Sequence, residues 1–255
     1  RKCLISGISG SIGVHFLAHI FHNTNWDVVG IVSFRHRGES DKIEMMLKNH
    51  DDWRSRLTII PHDLIGPFSE RTKEKIGKVD YVLNLASLSD VEASIKDPVT
   101  FIQNNVWSTL NMLEYARGAD LEAFVQFSTD EVYGPAPEGV DFLETDAYNA
   151  TNPYAATKAG AEQLVNAFGN TYSLPVFISN CMNLIGERAS HEKYLPLCIR
   201  KIVASETITI HADPTKTQAG QRHYLHCRNA AAATLFLLEH AEQRGRYNVV
   251  GDKEI

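Results

Sequence analysis

Short apolar runs recur along the chain, and amphipathic stretches separate them. Cys3-Leu4-Ile5, Asp27–Val32, Leu57–Pro61, residues 79–85, residues 123–127 (AFVQF) and residues 174–179 read as buried strands. After the first run, Ile12, Phe16 and Ile20 fall on one helical face. Phe101, Ile102, Val106, Leu110 and Leu113 make a second stripe, predicting a helix from Pro98 to about Gly118. Asp97-Pro98 and Asn152-Pro153 are start signals, a capping side chain followed by a proline at the first helical position. Strand and helix patterns that alternate in this way predict a right-handed parallel α/β sheet. Further on, the pattern predicts a helix over 194–204, a short strand over 207–211 and an Ala/Leu-rich helix over 229–240. There is no internal repeat, low-complexity tract or long linker.

Composition narrows the function classes. At 255 residues the chain can bury a large core, and a net charge of −6 argues against sequence-independent nucleic-acid binding. The longest apolar stretch, residues 230–238, is far short of a membrane span, and the chain opens on a strand, not on an apolar leader. It begins without Met and stops abruptly at Ile255, as a piece of a longer product would. Cys3, Cys181, Cys198 and Cys227 are widely spaced with no C-x-x-C pair. Reduced, buried thiols in a cytoplasmic protein are therefore expected, with no disulfide framework and no metal site.

Gly7-Ile8-Ser9-Gly10-Ser11-Ile12-Gly13 is a GxxGxxG between the first strand and its helix. Glycines there serve a tight turn, close approach of a pyrophosphate and helix–strand packing, and the helix start offers free N–H groups. The expected fold is a Rossmann-type doubly wound parallel sheet. The second strand ends in Val32-Ser33 where an acid would hold a ribose 2′-hydroxyl, and Arg35 and Arg37 follow. Those features favour NADP, with NAD as the alternative. Asp63, beside Leu64, is a candidate for the adenine amino group or a turn former. Ala86 and Ser87 are small enough to let a flat cofactor pass, and Asn105 is a candidate polar contact for its edge.

The stretch Phe127–Gly134, FSTDEVYG, carries the candidate chemistry. Ligands of open α/β sheets sit outside the carboxyl ends of strands, and Thr129, Asp130 and Glu131 stand at such an end. Two adjacent acids tend to separate into one base and one acid. Tyr154 and Lys158, at i and i+4, share a helix face, so an ammonium beside the phenol is expected to lower its pKa.

GxxGxxG, a strand ending in Ser-Thr and Tyr-x-x-x-Lys, in that order, resemble the extended short-chain dehydrogenase/reductases. The STDEVYG run is similar to that of the nucleotide-sugar 4,6-dehydratases, those acting on dTDP-glucose above all. The segments at 84–95 (NLASLSDVEASI), 192–196 (EKYLP) and 222–226 (RHYLH) agree. The resemblance implies that Tyr154, with Thr129 and Lys158, takes the proton of the sugar 4-hydroxyl while hydride leaves C4 for the cofactor. Glu131 then takes the C5 proton, Asp130 protonates the departing 6-hydroxyl, and hydride returns to C6. It implies substrate contacts for Ser89, Asn183, Glu192 and Lys193, and a diphosphate grip for Arg222. It also implies a Rossmann domain over 1–180 and a small substrate-binding lid mainly within 181–255, some segments of which return to the core.

Such enzymes pair the helices near 98–118 and 153–170 into a four-helix bundle, so a homodimer is expected; those faces could equally pack within the monomer. Departures fall on the substrate side: Asp90, His223 and the long 212–221 segment differ from the family pattern. The base and sugar therefore stay open. An epimerase or reductase on the same scaffold is the alternative, and a non-catalytic NADP-binding regulator a weaker one.

Overall fold

The structure is a computed structural model, described over residues 1–34, 40–137, 139–190, 193–210, 212, 215–241 and 244–253. Its first half runs β1 (Lys2–Ser6), α1 (Ser11–Asn23), β2 (Asp27–Val32), α2 (Ser40–Leu47), α3 (Asp51–Ser55), β3 (Leu57–Pro61), α4 (Glu70–Ile76), β4 (Tyr81–Asn84) and α5 (Val91–Lys96). Then come α6 (Pro98–Phe101), a π-helical segment (Ile102–Trp107), α7 (Ser108–Arg117), β5 (Ala123–Thr129) and a 3₁₀ turn (Asp130–Tyr133). The chain continues through α8 (Pro153–Tyr172), β6 (Val176–Cys181), β7 (Leu184–Ile185), α9 (Tyr194–Val203), β8 (Leu225–His226), α10 (Cys227–His240) and β9 (Gly245–Val249).

Seven strands form one parallel sheet in the order β3-β2-β1-β4-β5-β6-β9. A parallel sheet is covered on both faces, which is why its strands read as unbroken apolar runs. The pleat sends alternate residues to opposite layers: Cys3 and Ile5 join a core with Phe16 and Leu17 of α1, while Leu4 joins one with Met112 and Leu113 of α7. Strand order reverses between β1 and β4, so the crevice for a ligand opens at their carboxyl ends.

Several elements depart from the periodicity. The helix expected from Pro98 to about Gly118 carries a π-helical segment in its middle. The run 207–210 joins no strand among the described residues and Ile210 is 62% exposed, so the strand expected at 207–211 does not form there; His211 itself lies outside the described residues. The helix expected within the lid, α10, packs on α1 through Ala230, Ala231 and Leu235 and so completes the Rossmann layer. β9 was not foreseen. Its sequence, GRYNV, has too few apolar residues to stand out, and as an edge strand it is only half-buried. Among the described residues no helix is long and apolar enough to cross a membrane.

Candidate active site

The carboxyl ends of the strands enclose a cavity of about 700 Å³. Its floor at the switch point is the glycine turn. Gly7 adopts φ +69°, and a Cβ there would lie 2.8 Å from Ala86 Cα. At Gly13 a Cβ would lie 2.3 Å from Gly7 O, so neither position has room for a side chain. α1 starts at Ser11 with no side chain capping it, and Ser11, Ile12 and Gly13 line the cavity. A close backbone turn below an uncapped helix start fits the pyrophosphate of a dinucleotide.

The cavity wall follows the expected residues closely at this end. Ser33, Asp63, Leu64, Ala86 and Ser87 all line it. Asp63 also accepts from Ile65 N at 3.1 Å, which makes it a turn former as well. Arg35 and Arg37 lie outside the described residues. Asn105 is absent from the cavity lining: its carboxamide accepts from Leu88 N at 2.8 Å and donates to Leu88 O at 3.0 Å and Thr157 Oγ1 at 2.9 Å. The π-helical segment sets it, buried, as a brace between the loop after β4 and α8. Sequence reasoning also missed Ser6, whose hydroxyl accepts from Leu85 N and Ala86 N, both at 3.1 Å, and donates to Asn84 at 2.6 Å.

Thr129, Asp130, Glu131, Tyr154 and Lys158 line the cavity together. Thr129 ends β5 and caps the 3₁₀ turn by accepting from Glu131 N at 3.3 Å; its hydroxyl donates to Asp130 at 3.2 Å. Burial is the main force raising the Asp130 carboxyl above its ordinary range, and the Glu131 charge adds to it. Asn152 Nδ2 donates to Glu131 Oε2 at 2.9 Å. Tyr154 is held at the start of α8 by the Asn152 cap and by Tyr154 N donating to Ser94 at 3.1 Å.

The phenol differs from expectation. Burial and then the Glu131 charge push the Tyr154 pKa up, and the hydrogen bond with Thr129 opposes them. The ammonium of Lys158 donates to Phe127 O at 2.6 Å, and burial lowers its pKa to about 8. Behind this layer Glu162, also fully buried, accepts from Ser128 at 2.5 Å, Asn180 at 2.8 Å and Tyr148 at 3.0 Å. Asn180 also donates to Thr129 O at 3.0 Å, so this network anchors the end of β5. Only the spacing of Glu162 four residues after Lys158 hinted at it. The Cys181 thiol lines the cavity, but burial pushes its pKa up to about 12, which removes it as a nucleophile.

On the substrate side, Lys193 Nζ reaches across to Ser89, donating to its carbonyl at 3.1 Å and its hydroxyl at 3.3 Å. Asn183 lines the cavity and donates to His223 O at 3.2 Å. Arg222 is exposed and outside the lining, donating to Gln221 O at 2.7 Å, though its charge lowers the Asp130 pKa. Glu192 lies outside the described residues. Among the described residues no cluster of three or more His, Cys, Asp or Glu could hold a metal ion.

A family model described as "NAD dependent epimerase/dehydratase family" matches residues 3–250. The chain is 30% identical over 252 residues to the low-salt glycan biosynthesis protein Agl12 of Haloferax volcanii, covering 99% of this chain and 77% of that one. It is 31% identical over 271 residues to a dTDP-glucose 4,6-dehydratase of Escherichia coli, covering 99% and 73%. Among solved structures, DesIV, a dTDP-glucose 4,6-dehydratase from Streptomyces venezuelae with NAD and TYD bound, superposes with a TM-score of 0.88 at 26% identity, over 100% of this chain and 77% of that one. A UDP-N-acetylglucosamine 4-epimerase from Methanobrevibacter ruminantium superposes at 0.85 with 25% identity, over 100% and 78%.

Proposed function

The chain belongs to the NAD dependent epimerase/dehydratase family, an extended short-chain dehydrogenase/reductase, and on that premise we propose that it is a nucleotide-sugar 4,6-dehydratase. The observation that carries this reading is the pair of unlike carboxyls, Asp130 and Glu131, in one 3₁₀ turn at the cavity beside Tyr154. An epimerase returns hydride to the carbon it left and needs no such pair. Bound NAD(P) would supply the acceptor and donor of a single hydride. Tyr154 takes the proton of the sugar 4-hydroxyl as its phenolate; burial and the Glu131 charge hold the phenol protonated, and the positive charge of a bound oxidised nicotinamide would favour the loss of that proton. Glu131 takes the C5 proton, which a 4-keto group acidifies. Asp130, whose burial favours the protonated carboxyl, donates to the departing 6-hydroxyl so that it leaves as water.

Gly7, Gly10, Ser11, Ile12 and Gly13 would hold the pyrophosphate, and Leu64, Ala86 and Ser87 the rest of the dinucleotide. We keep NADP as the proposed form because Val32-Ser33 brings no carboxylate to the ribose end; recovery of NAD from denatured protein would overturn that choice. Ser89, Lys193 and Asn183 are the proposed sugar-nucleotide contacts. A cytoplasmic homodimer completes the reading: Val99, Ile102, Trp107 and Leu110 form an exposed apolar face along the 98–117 helix.

Incubation with a panel of nucleotide sugars, followed by mass spectrometry, tests the activity. Loss of one water with no net change in cofactor is the expected result. Glu131→Gln should abolish the loss of water while oxidation at C4 continues. Inversion without loss of water would establish the epimerase.

A further inference from the structure

We infer that Asn152 is a positioning residue that holds Glu131 in the orientation its proton transfer requires; this rests on the dehydratase reading above. Asn152 faces two ways. Its Oδ1 accepts from Ala155 N at 2.8 Å and so caps α8, the helix that carries Tyr154 and Lys158. The cap fixes the orientation of the amide, since only its oxygen can accept from that N–H. The Nδ2 therefore points the other way, and it donates to Glu131 Oε2 at 2.9 Å.

One side chain thus ties the helix of the phenol to the turn of the carboxylate. Glu131 Oε1 accepts no hydrogen bond from the described residues, and Glu131 lines the cavity. Holding one oxygen leaves the other as the oxygen presented to a substrate. The backbone nearby reinforces the link: Asn149 N donates to Val132 O at 2.9 Å, so the segment leading to α8 lies against the same turn. A cap alone does not call for Asn, because Asp caps a helix equally well and Gly costs little. A donor toward a carboxylate does call for the amide.

Two variants separate the cap from the donor. Asn152→Asp keeps the capping oxygen and replaces the donor with an acid facing Glu131. Asn152→Gly removes the side chain at small cost to the cap. Cofactor reduction at 340 nm in a single turnover reads C4 oxidation, and mass spectrometry reads loss of water.

The expected result in both variants is oxidation within about threefold of wild type. Water loss should be slower by roughly 10- to 100-fold, the size set by one hydrogen bond to a charged group. In Asn152→Asp, water loss should recover as the pH falls, because the protonated acid regains a donor. Asn152→Gly should show no such recovery. Asp130, Tyr154 and Lys158 titrate in all three proteins, so the comparison is with the wild-type pH profile. Wild-type water loss in both variants would overturn the inference and leave Asn152 a cap only. If none of the nucleotide sugars causes the wild type to reduce its cofactor, the dehydratase reading itself fails and takes this inference with it.

Discussion

Replacing Gly13 with Ala tests the glycine turn directly. The new Cβ would sit 2.3 Å from Gly7 O, 2.6 Å from Ile8 Cα and 2.7 Å from Ile8 O. All three are backbone atoms that cannot swing aside. Ordinary contact begins at 3.4 Å, so α1 must move from the turn by about 1 Å. Overpacking typically costs about 1–3 kcal/mol; against three backbone atoms this close it falls in the upper part of that range, about 2–3, and alanine's better helix propensity returns about 1. The clash wins by about 1–2 kcal/mol, which lowers Tm by roughly 2–8 °C in a protein of this size. The same movement would carry the first-turn N–H groups off the phosphates of the proposed cofactor. Losing one hydrogen bond to a charged group weakens cofactor binding by roughly 10- to 100-fold. Differential scanning fluorimetry and titration of NADPH fluorescence measure the two effects. Gly10→Ala is the milder comparison for Tm, since its Cβ would meet Gly7 O alone, at 3.1 Å, only a few tenths of an ångström inside ordinary contact, and its φ of −73° suits any residue. An unchanged Tm and affinity in Gly13→Ala would refute the close-approach argument.

Three other outcomes follow from the buried charges and the apolar face. The Lys158 pKa falls from 10.5 to about 8 on folding, so its buried charge costs about 3 kcal/mol at neutral pH. Below about 8 both states hold the proton and the cost is full; from about 8 to 10.5 only the unfolded state holds it, so stability rises with pH. Urea unfolding of Lys158→Met should lack that rise, and a wild-type profile flat over that window would contradict it. Arg246 Nη1 lies 3.8 Å from fully buried Glu162, and its guanidinium stacks over Tyr133 and Tyr148. Arg246→Met should cost about 3–5 kcal/mol, and adding Glu162→Gln should return part of it; additive losses in a double-mutant cycle would deny the coupling. Trp107, 52% exposed, sits on the proposed dimer face, so Trp107→Glu should halve the mass seen by light scattering, and an unaltered dimer would put the interface elsewhere.

The sequence by itself determined where the main strands lie along the chain and which candidate residues stand at their carboxyl ends. Strands buried on both faces must be apolar throughout, so β1, β2, β4, β5 and β6 are visible as runs. Glycine turns and proline-marked caps are local, so GxxGxxG and Asn152-Pro153 are legible without a fold. Only the tertiary structure decided what depends on distant neighbours. β9 becomes a strand because β6 offers it an open edge, and α10 belongs to the core because α1 presents an apolar face. Asn105 braces a loop because Leu88 and Thr157, remote in sequence, are brought to it. The phenol of Tyr154 is raised because burial and Glu131 act on it from residues remote in sequence. Desolvation and hydrogen-bond partnership are properties of packing, and a linear pattern does not carry them.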